Sequence, residues 1–101
     1  MESEYIYHVT TQTEWEQAKI AGDYTPVGFD AEGFIHCSNE NQVPGVLDRF
    51  YKGQTGLVKL KIEKAKLARP LLFELAADLD ELFPHIYGAL NIDSVVEVTV
   101  I

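Results

Sequence analysis

The sequence predicts an α+β fold, with two helices early in the chain and an antiparallel or mixed sheet completed by strands late in it. Helical and strand patterns alternate only through the first half, in the order β-α-β-α-β-β-β-β. The late strands have no helical segments between them to serve as parallel crossovers. At 101 residues the chain is long enough for one hydrophobic core and too short for two independent ones, so a single domain over residues 1–101 is expected.

Each element has a local signature. YIYHVT (residues 5–10) is rich in β-branched and aromatic residues and alternates, as a strand does. Thr13 with Glu16 matches a capping box and opens a first helix through Trp15 and Ala18, which Gly22 closes. Residues 22–33, holding Pro26, Gly28 and Gly33, read as a loop. Phe34 to Cys37 of GFIHCS form a short apolar run bounded by glycine and polar residues, a second strand.

Val43, Val46, Leu47 and Phe50 then fall at i, i+3, i+4 and i+7, the apolar stripe of a second helix, with Pro44 in its first turn and Gly53 past its end. The stripe is read as core packing. In GLVKLKIE (56–63) Val58, Leu60 and Ile62 alternate with Lys59, Lys61 and Glu63, the pattern of a half-exposed strand with its lysines in solvent. LLFEL (71–75), PHIY (84–87) and SVVEVTVI (94–101) supply three further strands, and ADLDE (77–81) an acidic turn or short helix.

Eight basic against sixteen acidic residues give a net charge of -8, which repels polyanions and excludes nonspecific binding to nucleic acid. A small ligand, even an anionic one, is not excluded, because a cleft needs only a local group of donors. No apolar run is long enough to span a bilayer, so no membrane partner is expected. The start MESEYIYH lacks a basic segment followed by an apolar one, and the lone cysteine cannot pair within the chain. A cytoplasmic protein with a reduced thiol is expected.

All three histidines sit on strand segments, and each is followed two residues later by a hydroxyl: His8 with Thr10, His36 with Ser38, His85 with Tyr87. Residues i and i+2 of a strand share a face. The opposite faces carry Tyr7 and Val9, Ile35 and Cys37, and Ile86, which suit a core. If the three strands are neighbours, three imidazoles and three hydroxyls line one cleft, with Phe34 and Tyr87 as aromatic walls, and a small-molecule ligand is its expected partner. The alternative for any one histidine is structural, its ring satisfying a nearby backbone carbonyl.

Alternation also places His36 and Cys37 on opposite faces, so His36 cannot activate that thiol, and Cys37 is read as a small buried residue. Three histidines could hold a zinc ion for a hydrolase, but none has the close spacing that specifies a metal site, so no metal ligands are assigned. Glu32, Glu74 and Glu97 are the candidate carboxylates, and Glu74 interrupts an otherwise apolar strand. Arg49 lies off the apolar stripe of its helix, where it could reach an anion or form a surface ion pair.

Read in order, IYHVT, EGFIHCS, FYKGQTGLVKLKIE and FPHIYG resemble a bacterial family catalogued as domain of unknown function 952, over nearly the whole chain. That family is similar to a compact ADP-ribosyltransferase fold, and IYHVT followed by IHCS resembles the paired His-bearing strands of the RNA 2'-phosphotransferases. The resemblance implies a split, mixed but mainly antiparallel sheet with an NAD or nucleotide cleft between its halves. It implies that His8 contacts the ribose side of NAD and that His36, with Ser38, belongs to the second His strand. Arg49 would face phosphate, Tyr87 would stack on a nicotinamide ring, and Glu74 or Glu97 would stabilise the oxocarbenium ion formed as the nicotinamide bond breaks. A His-ligated metal hydrolase and a non-catalytic ligand-binding domain are the alternatives.

Overall fold

The computed structural model describes residues 3–76 and 79–101. Its elements are β1 (Tyr5–Thr11), α1 (Gln12–Ala21), β2 (Asp23–Tyr24), α2 (Phe29–Glu32), β3 (Ile35–His36), α3 (Val43–Phe50), β4 (Leu57–Glu63), β5 (Leu71–Ala76), β6 (Glu81–Ile86), β7 (Leu90–Asn91) and β8 (Val95–Val100). The long strands form two three-stranded sheets, β1-β4-β8 and β3-β6-β5, and β2 pairs with β7. The fold is therefore α+β, as expected. Every pairing among the described strands is antiparallel, so the parallel component of a mixed sheet does not occur. The connection from β5 to β6 is too short for a crossover, which a parallel pair would need.

The two sheets touch along β1 and β3. Ser38, just past β3, exchanges two backbone hydrogen bonds of 2.7 Å with Tyr7 of β1, and no longer ladder links the sheets among the described residues. The sheet is split at that line. Ile6, Leu60, Ile62, Ile35, Ile86 and Leu90 are wholly buried between the halves, each contributing about 1.5–3 kcal/mol relative to exposure. Trp15 and Ala18, one turn apart on α1, complete this core. On the other face of β1-β4-β8 a smaller cluster joins Val43 and Leu47 of α3 to Tyr7, Val9 and Leu57.

Several sequence expectations shift. The first helix begins at Gln12, and its N-cap is Thr11, whose Oγ1 accepts from the Glu14 amide at 3.1 Å. Both Thr11 and Thr13 precede a glutamate by three residues. Pairing with β4 holds Thr11 extended, the conformation that an N-cap needs. The expected loop at 22–33 contains β2 and α2, the latter a single turn held between Gly28 and Gly33, both at positive φ. The stripe of α3 divides: Val43 and Leu47 pack on the sheet, while Val46 and Phe50 face a cleft, Phe50 with 64% of its surface exposed. Lys61 and Lys59 do not simply point into water but lie over the rings of Tyr5 and Tyr7, at 4.4 and 5.5 Å. Of the expected acidic turn at 77–81, residues 77 and 78 lie outside the described residues; Asp80 takes a positive φ and Glu81 opens β6. No described helix is long and apolar enough to cross a membrane.

Candidate functional site

The short β3 and the central β6 form the floor of the site. Their register sets His36 directly opposite His85, and alternation puts Phe34 with His36, and Phe83 and Tyr87 with His85, on the same side. Above them opens a cleft of about 730 Å³, within the range of small-molecule sites. One wall comes from Val27 and the one-turn α2, the other from Val46 and Phe50 of α3 and from Leu75 and Leu79 of the β5–β6 hairpin.

His85 is the most constrained group in the site. Its Nδ1 lies 2.8 Å from Glu74 Oε1, and the Tyr87 hydroxyl donates to the same oxygen at 2.5 Å. These two hydrogen bonds, Tyr87 foremost, hold the Glu74 carboxyl below its ordinary range, and the carboxylate in turn raises Tyr87. An ionised Glu74 accepts only, so Nδ1 carries the hydrogen and, in the neutral ring, Nε2 carries the lone pair. Nε2 has no protein partner, and no fully buried side-chain nitrogen or oxygen lacks one among the described residues, so Nε2 opens on the cleft. Phe34 stacks on the imidazole, centroids 4.2 Å apart and planes at 21°. The arrangement fixes ring, tautomer and direction of one basic nitrogen.

His36 is less constrained. Its ring meets His85 edge-on, centroids 5.0 Å apart, and Phe34 at 4.8 Å. Its Nε2 is 3.6 Å from Glu32 Oε2, both side chains more than half exposed, a contact that adds little stability. Two imidazoles thus face one cleft, each with a carboxylate behind or beside it.

His8 also borders the cleft, but not as a free group. It is buried, 8% exposed, and both its nitrogens are engaged: Nδ1 donates to the His36 carbonyl at 2.6 Å, and Nε2 accepts from the Tyr24 hydroxyl at 2.8 Å. Burial pushes its pKa from the ordinary 6.5 down to about 4. Thr10 follows the same route, its Oγ1 lying 3.1 Å from Tyr24 and 3.3 Å from Glu14 rather than lining the cleft. His8 is therefore a fastener across the split, binding β1 to the backbone of β3, while its ring borders the cleft.

The remaining expected residues divide as well. Ser38 borders the cleft while its backbone makes the bridge to Tyr7. Glu74 and Tyr87 stand behind His85 and orient it, and the ring stacked on His85 is Phe34. Arg49 turns back along its own helix, its guanidinium 5.9 Å from the Phe50 ring and packed where Gly45 lacks a side chain. Neither it nor any lysine lines the cleft among the described residues. Glu97 sits on β8 opposite Lys61, in the other sheet. Cys37 is buried in the core, where desolvation pushes its thiol pKa up. No described group of three or more His, Cys, Asp or Glu side chains is arranged to hold a metal ion; with His8 engaged on both nitrogens, the three-histidine site does not assemble.

Sequence reasoning missed Phe83, the cleft-facing position of Phe50, and the turn that carries Phe29 beside the candidate carboxylate Glu32. Phe83 had a signal, its i−2 spacing from His85 on a strand. The spacing of Gly28 and Gly33 around FDAE is the only mark of α2.

Solved structures of protein CC0527 from Caulobacter crescentus are similar over almost the whole chain. One crystal structure is 31% identical, covering 95% of this chain and 84% of that one, with a TM-score of 0.84. A double-mutant crystal structure of the same protein is 29% identical over the same shares, with a TM-score of 0.86. Its solution NMR structure is 30% identical over 96% and 84%, with a TM-score of 0.80. No curated protein matches the chain. Residues 9–98 match the model of a protein family of unknown function, DUF952, and the chain belongs to that family.

Proposed function

We propose that the cleft binds a small molecule with a planar, neutral or cationic body, and that His85 is its acid-base group. One observation carries the reading: an imidazole oriented by Glu74, stacked under Phe34, with Nε2 open to the cleft. A base whose direction is fixed in advance removes part of the entropic cost of proton transfer. The walls argue for the ligand class. Phe34, Phe83, Phe50, Val27 and Leu75 offer apolar and aromatic surface, Glu32 is negative, and no lysine or arginine opposes it among the described residues. Such a lining favours a flat, electron-poor ring over a phosphate.

The nicotinamide end of NAD is the ligand we favour. The split antiparallel sheet, with its cleft at the seam, supports an ADP-ribosyltransferase-like reading of the fold. The pyrophosphate would lie outside the cleft, in solvent. If the bound ligand reacts, Glu32 is the carboxylate on the cleft wall able to face a positive charge developing at the ribose.

Thermal denaturation with NAD, nicotinamide riboside, ADP-ribose and zinc chloride tests this. Nicotinamide riboside and NAD are expected to raise the melting temperature by about 10–20 °C at about 100 times Kd, where the ligand adds about 2.7 kcal/mol. ADP-ribose, lacking the ring, is expected to do much less, and Phe34→Ala to abolish the response. A shift with ADP-ribose equal to that with NAD would sink the ring-binding reading, and no shift with either would remove the nucleotide altogether.

A further inference from the structure

We propose that the outer edge of β8 is a self-association surface, on which two copies of the chain pair β8 with β8, antiparallel about Val98, to form one six-stranded sheet from two of the order β1-β4-β8. β8 is the last strand of its sheet. Ile101 donates its amide to Leu57 at 3.0 Å, so residues 97, 99 and 101 turn their backbone groups toward β4. By alternation the N–H and C=O groups of Val98 and Val100 point away from the sheet, and no strand other than β4 reaches β8 among the described residues. Edge strands are ordinarily blunted by lysine or proline, and VVEVTV contains neither. The other outer strand, β5, follows Pro70 and has Lys64 drawn over Phe73.

A second copy fits this edge because the strand complements itself. With Val98 opposite the partner's Val98, Val100 faces the partner's Val96, and Glu97 faces the partner's Thr99. Within each chain Lys61 is opposite Glu97 and Lys59 opposite Thr99. One row across the joined sheets therefore reads Lys61, Glu97, the partner's Thr99, the partner's Lys59, with no like charges adjacent. On the other face Leu60 is opposite Val98, so the core stripe would run on through both valines. Val98 and Val100 are 41% and 69% exposed in the single chain, and this is the apolar surface that pairing covers. A two-fold pairing closes on itself and leaves no edge to propagate from β8.

Sedimentation and light scattering of the full chain from about 1 µM to about 1 mM, with hydrogen exchange at both ends of the range, test the proposal. The wild type is expected to move from the mass of one chain to that of two, with the Val98 and Val100 amides slowing as it does while Ile101 is unchanged. Val98→Pro removes an outward N–H without breaking a bond to β4, and Val100→Lys puts charge on the edge; both are expected to keep a folded circular-dichroism spectrum and the mass of one chain throughout. A wild type that stays monomeric, with concentration-independent exchange in β8, overturns the proposal and leaves the edge to a different partner. A dimer that persists in either folded variant also overturns it, because association then uses another face.

Discussion

His8 and His85 show how one residue type divides by its surroundings. Both lie on strands and both are buried, yet His8 has both nitrogens bonded within the fold while His85 keeps Nε2 open. His8 consequently titrates low, with a pKa of about 4 against 6.5 when unfolded. Between those values the unfolded chain binds a proton that the folded chain does not. His8 therefore lowers stability as pH falls through that window, and its effect is constant below it. Urea denaturation is expected to show the wild type losing roughly 3 kcal/mol more than His8→Gln on acidification across the window. Equal losses in the two proteins would mean that His8 is not held neutral by burial. His85 is different in kind: Glu74→Leu removes the acceptor at Nδ1, so the ring's Nδ1 proton and tautomer, read by nitrogen NMR, are expected to change without a loss of secondary structure.

At the level of elements, the two overlapping Thr-x-x-Glu patterns make the start of α1 ambiguous in sequence, and strand pairing resolves it. Thr11 caps the helix, whereas Thr13 is exposed on its first turn. Thr11→Ala should cost about 1 kcal/mol and Thr13→Ala less than about 0.5 kcal/mol, both measurable by chemical denaturation. The reverse order would restore Thr13 as the cap. α3 shows the same limit. Its i, i+3, i+4, i+7 stripe marks a helix correctly, but periodicity cannot say that one half of the stripe meets a sheet and the other a cleft. α2 and β7, at four and two residues, are too short for any periodicity to develop.

For the whole molecule, the seam between the sheets matters most. Besides the bridge of Ser38 to Tyr7, it is closed by the line from Thr10 through Tyr24 and His8 to the His36 carbonyl. Tyr24→Phe leaves Nε2 of His8 buried without a partner and should cost about 1–3 kcal/mol. In a double-mutant cycle with His8→Gln the two changes should couple by more than about 0.5 kcal/mol. Additive effects would mean that the seam is held by the backbone bridge and core alone. Because β3 forms both one side of the seam and the floor of the cleft, these bonds also hold His36 opposite His85.

Alternation in GFIHCS and FPHIYG was enough to set His36 with Ser38 and His85 with Tyr87 on one face of each strand and to turn Cys37 to the opposite face from His36, since a strand's side-chain period is set by local backbone geometry. The long strands, the two longer helices and the α+β order were legible for the same reason: their patterns repeat over enough residues to be read. Only the tertiary structure decided that both nitrogens of His8 are engaged within the fold, that Arg49 folds back on its own helix, and that Glu74, bonded to Tyr87, orients His85. The histidine outcomes depend on partners 11 to 28 residues away in sequence, and a hydrogen-bond partner at that distance leaves no periodic trace in the chain that contains it.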